Sequence, residues 1–162
     1  MDANSQQTAL LLNALAAAVD QLQLFGYALY LDTKAPSWTQ PRSVTVSGKD
    51  FQILQASHAL RFERALILSF TLQCDTTATR WVVFSILFAW NTEYWFIQPT
   101  VEEEVSADEQ TTRMLWESPA YQAGTIDTAI QYLHQALQAL IDSKTDKHVA
   151  EALARIKHRQ QL

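Results

Sequence analysis

Cysteine is almost missing from these 162 residues: Cys74 stands alone, which excludes an internal disulfide and any cysteine-rich metal site. Glycine is nearly as scarce. Gly26, Gly48 and Gly124 belong to no GxGxxG or Walker-type loop, so nucleotide binding through a backbone phosphate cradle is excluded. No GxSxG elbow, HExxH helix or EF-hand loop occurs. His58, His134, His148 and His158 have no metal-site spacing to one another or to the acids, and no base partner is visible for any of them. No catalytic, cofactor-binding or metal-ligating residue is assigned, and no cofactor is expected. Long apolar runs are also missing, since Asn13 and Asp20 punctuate the leucine–alanine segment and no stretch approaches roughly 18 apolar residues. The start, MDANSQQ, has no basic region of the signal-peptide kind. These features predict a soluble, cytoplasmic protein that does not enter a membrane.

The chain is nevertheless rich in core material. It is 48% hydrophobic, with 5 Trp, 5 Tyr and 7 Phe, enough for one domain without a staple. The net charge of −5 disfavours nucleic acid, whose binding rests on neutralising phosphates. Its acids are concentrated: residues 101 to 117 hold Glu102, Glu103, Glu104, Asp108, Glu109 and Glu117 against Arg113 alone. From Lys144 onward the balance is mildly basic.

The clearest local signal runs from Arg80 to Thr100. Val82, Phe84, Ile86, Phe88 and Trp90 share one strand face; Trp81, Val83, Ser85, Leu87 and Ala89 share the other. A strand apolar on both faces belongs mid-sheet. Asn91-Thr92-Glu93 reads as a short hairpin loop that returns the chain at Tyr94, and Pro99 should end the pairing or sit on an edge. Upstream, Leu11, Leu12, Leu15, Val19 and Leu22 predict a helix from Asn4 or Ser5, capped at Gly26, and Tyr27 to Leu31 reads as a strand. Asp32 to Arg42, with Pro36 and Pro41, has loop composition and carries Trp38. Strands follow from Val44, over Phe51 to Leu60, and over Arg61 to Cys74, with Asp75 to Thr79 as a polar hairpin loop. Arg113 to Trp116 adds a short edge strand. A strong helical stripe runs from Ile126 to Ile141, and a final helix follows a break at Ser143 to Asp146. The sum is a single α+β domain over residues 1–162: an N-terminal helix, an antiparallel meander of about five or six strands, and one or two C-terminal helices on one sheet face.

Two functional readings follow. The first is a non-enzymatic protein–protein interaction module. It places Trp81, Trp95 and Ile97 on a sheet face that helices do not cover, rimmed by Glu102, Glu103, Glu104, Asp108 and Glu109, with Trp38 as a further anchor, and its partner is a protein with a basic surface. In size, acidity and layout the chain looks like small bacterial immunity proteins and secretion chaperones, a likeness of architecture alone. A homodimer through an apolar sheet face is a variant of this reading. The second is a small-ligand-binding domain or enzyme with a cavity between the sheet and the helix from Ile126 to Ile141, bordered by His58, Arg64 and Tyr132.

Overall fold

A computed structural model describes residues 3–33, 38–47, 51–55, 58–62, 64–73, 80–91, 93–106 and 110–160. Helix α1 spans Ala3–Thr33. Strands β1 (Trp38–Ser47), β2 (Phe51–Gln55), β3 (His58–Phe62), β4 (Arg64–Gln73), β5 (Arg80–Trp90), β6 (Trp95–Ser106), β7 (Gln110–Glu117) and β8 (Tyr121–Ala123) follow, then α2 (Ile126–Asp142) and α3 (Lys147–Gln160). The main sheet is antiparallel in the order β1-β4-β5-β6-β7, with β8 also paired to β6, while β2 and β3 form a separate hairpin inserted between β1 and β4. This is the predicted α+β architecture.

The covered face of the sheet explains the stability of the arrangement. Leu68, Phe70 and Leu72 of β4, Val82, Phe84, Ile86 and Phe88 of β5, and Ile97 and Val101 of β6 are buried with stripes from all three helices. Phe70 and Phe84 stack at 4.8 Å, and the ring of Phe25 in α1 meets each of them edge-on at 5.5 Å. Thr125 caps α2 by accepting a hydrogen bond from the Thr128 N–H at 3.2 Å, and Asp146 caps α3 by accepting from Val149 at 3.3 Å. A short 3₁₀ turn, Ser143–Thr145, separates these two helices where the sequence predicts a break.

Several expectations are corrected. Gly26 does not cap α1, and Tyr27 to Leu31 is not a strand: the helix continues to Thr33. Phe25 and Leu29 extend the buried stripe of Leu15, Ala18 and Leu22, and their burial outweighs a glycine penalty of about 1 kcal/mol. The loop expected over Asp32 to Arg42 gives way at Trp38 to β1, an edge strand whose register shifts between Thr39 and Arg42 and again between Arg42 and Thr45. Pro41 is tolerated there because edges and bulges need fewer ladder donors. Phe51 to Leu60 is divided into β2 and part of β3. Pro99 does not end β6 either. It pairs with Ile86, and its carbonyl accepts from the Ser118 N–H at 3.3 Å, where β6 changes neighbour from β7 to β8. A residue's N and C=O point to the same side of a strand, so the missing donor of Pro99 falls at that break.

By length and composition, α1 between Gln6 and Leu29 is apolar enough to cross a membrane, which the search for uninterrupted apolar runs misses. Cys74, the loop from Asp75 to Thr79, Asp108 and Glu109 lie outside the described residues.

Candidate functional site

Alternation sorts the second sheet face. Ile67 and Ser69 of β4, Val83, Ser85 and Leu87 of β5, Gln98, Thr100, Glu102 and Glu104 of β6, and Met114 and Glu117 of β7 line a groove of about 520 Å³. Among the described residues no helix packs on this face. One end closes where Ala65, Ala89 and Phe96 are buried together with Leu87 and Ala120. The other end is acidic.

At that acidic end Trp81 stands opposite Glu104, and its indole N–H donates to Glu104 Oε2 at 2.6 Å. The bond fixes one carboxylate oxygen of Glu104, which lines the groove. Glu102 lies opposite Val83 on β5 and Met114 on β7. Burial, and then the neighbouring Glu104 carboxylate, push the Glu102 carboxyl above its ordinary pKa. Glu117 also lines the groove, farther along, at the register position opposite Thr100. Mid-groove, the Ser85 and Thr100 hydroxyls are 3.3 Å apart, and the Gln98 amide donates to the Ser118 carbonyl at 3.2 Å. Ile67, Val83, Leu87 and Met114 supply apolar floor and wall, with Met114 44% exposed. The described lining thus combines three carboxylates, hydroxyls and apolar contacts, and contains no cation.

The predicted site residues divide between the two faces. Trp81, Glu102 and Glu104 are brought together on the uncovered face. Trp95 and Ile97 are not: they stand opposite Trp90 and Phe88, on the helix-covered face, where Ile97 is wholly buried and Trp95 packs against the core. Their placement beside Trp81 is corrected. The loop is one residue longer than expected. The Asn91 N–H donates to the Tyr94 carbonyl at 3.0 Å, and Asn91 Oδ1 accepts from the N–H groups of Glu93 and Tyr94 at 2.8 and 2.7 Å. Tyr94 therefore belongs to the loop, and a shift of one residue turns every β6 side chain over.

Glu103 is likewise removed from the acidic rim. It is 7% exposed, on the covered face, where its Oε2 accepts from Arg155 of α3 at 2.7 Å and its Oε1 lies 3.8 Å from Arg113. This carboxylate holds α3 to the sheet; the Arg155 Nε is buried and has no hydrogen-bond partner among the described residues. Trp38 opens β1 at the register position opposite Leu72, at the sheet's edge. Glu102, Glu103 and Glu104 all lie inside β6.

Glu117, Thr100, Ser85, Gln98 and Met114 are groove residues that motif searching passes over. Period-two alternation carried across consecutive strands is the signal that would have found them. Among the described residues, Phe84, Phe88, Leu133, Ala136 and Leu137 pack between the sheet and α2, each 2% exposed or less. His134 is exposed on α2. Among the described residues no group of His, Cys, Asp or Glu is arranged to hold a metal ion. Comparison of the chain with protein-family models, with curated proteins and with solved structures finds no match.

Proposed function

We propose that the chain is a non-enzymatic, cytoplasmic interaction module whose uncovered sheet face receives a basic segment of another protein. The observation that supports this reading is the groove itself: Glu102, Glu104 and Glu117 line it with no cation among the described residues. Charge of one sign in a half-buried groove attracts and orients a partner of the other sign. The apolar contacts of Val83, Leu87 and Met114 beside those carboxylates suit the alkyl stems of Lys or Arg, with the charged heads reaching the acids. Such a module would act as immunity proteins or secretion chaperones do, by occupying or escorting its partner. Binding is favoured over catalysis because the described lining offers no nucleophile with an adjacent base.

The test uses peptide display against the intact protein, then titration of selected peptides. Peptides enriched in Lys and Arg are expected, binding more weakly as salt rises. Combined E102Q, E104Q and E117Q substitution should weaken them by at least about tenfold, given roughly 1.5–3 kcal/mol for a hydrogen bond to a charged group. Selection of neutral or acidic peptides, or affinity unchanged by the triple substitution, would overturn the proposal.

A further inference from the structure

The outer side of α1 is a second surface left open by the fold. Leu10 and Leu24, 54% and 71% exposed, share one side of the helix with Ala17, while Leu12 and Tyr27, 60% and 41% exposed, lie farther round it, and only 28% of the most apolar window of this helix is buried. Solvent-facing apolar area on that scale calls for a cover.

A bilayer is a poor one. Crossing it would strip Leu15, Ala18, Leu22, Phe25 and Leu29 from the core, including the edge-on contacts of Phe25 with Phe70 and Phe84. Lying on a membrane surface is equally disfavoured, because surface-seeking helices carry Lys and Arg on their polar side. Between Gln6 and Leu29 the only charged residue is Asp20.

The pattern of the exposed side matches its own reverse. Leu10, Ala17 and Leu24 follow at intervals of seven, with Asn13 and Gln21 each four residues from Ala17. An isologous contact needs a patch complementary to itself under a two-fold rotation. With the axis through Ala17, Leu10 meets Leu24 of the second copy and Asn13 meets Gln21. Alanine at the crossing allows the helices to approach to the short end of the usual interaxial range, about 8 Å. The two Asp20 residues fall on opposite sides of the two-fold, about 9 Å apart along the helices, so they are not forced together.

We propose that the chain forms a two-fold dimer in which α1 packs antiparallel against α1 of a second copy, crossing at Ala17. The area sets its strength. Residues 6 to 28 extend about 34 Å, and covering a third of a cylinder about 13 Å across removes roughly 450 Å² per copy. The resulting total of about 900 Å² belongs to weak, concentration-dependent interfaces.

Sedimentation equilibrium of the intact chain from micromolar to near-millimolar concentration tests this. A reversible monomer–dimer equilibrium is expected. L24E and L10K should each weaken it at least about tenfold, since the symmetry doubles every lost contact. The double variant L10K/L24E should restore it, because the introduced ammonium then meets the introduced carboxylate across the axis in both places. The restored dimer should weaken with salt. Both positions are exposed, and unchanged circular dichroism melts would verify that the variants remain folded. A monomer throughout, or single variants that dimerise like the wild type, would overturn the proposal. So would failure of the double variant to recover, or co-sedimentation of the wild type with vesicles of neutral and anionic phospholipid.

Discussion

Glu102, Glu103 and Glu104 are chemically identical and adjacent, yet the sheet gives them separate tasks. Glu103 turns toward α3 and Arg155, while its neighbours turn into the groove. Glu102 is the strained member, its carboxyl pushed up by burial and by Glu104. With the folded pKa above the ordinary value, the native state holds the proton more tightly than the unfolded chain does. Stability contributed by Glu102 therefore falls as pH rises through the window between the two values. Ionised Glu102 costs stability above that window, and the cost disappears below the ordinary Glu pKa of 4.5. Glu102→Gln should accordingly be more stable than the wild type at neutral pH, with the two converging toward pH 4.5. Thermal melts across this range, read as the difference between variant and parent, would measure it; parallel curves would refute it. The separation of these three residues was legible in the sequence, because period two applies to any strand. Treating them as one acidic run requires them to be in a loop, and they are in β6.

At the scale of elements, β5 was legible because it is apolar on both faces, as a mid-sheet strand is, and α2 because its stripe is continuous. The extent of α1 was not. Gly26 is a local stop signal, and only the distant partners Phe70 and Phe84 show why the helix passes through it. The placement of Trp95 turned on one residue of loop length, which Asn91 decides by gathering Glu93 and Tyr94 around its side chain. Arg155 illustrates the same limit, since it lies 52 residues from the glutamate it pairs with. That pair ties α3 to β6, and with the Arg155 side chain 39% exposed, solvent screens part of its strength. Glu103→Gln should cost about 1–2 kcal/mol in urea denaturation, below the roughly 3–5 kcal/mol of a fully buried pair. In an Arg155→Met background the same substitution should cost about 1 kcal/mol less. Equal costs in both backgrounds would mean that the pair does not hold α3.

Over the whole molecule, helices on one side and a groove on the other set two open surfaces back to back, with the sheet between them. Residues more than about 7–10 Å apart with no shared partners affect stability and binding nearly independently, within about 0.3–0.5 kcal/mol. Dimerisation through α1 would therefore leave both grooves facing outward and unaltered. Two consequences are measurable. The E102Q, E104Q and E117Q combination should sediment like the wild type, because it touches nothing on α1. L24E should bind a basic peptide in solution with the wild-type affinity, to within about twofold. On a surface densely coated with that peptide the two should part: the dimer can engage two peptides at once and dissociate slowly, whereas monomeric L24E cannot. If L24E instead loses affinity in free solution, the groove depends on the helix behind it, and the two surfaces form a single site.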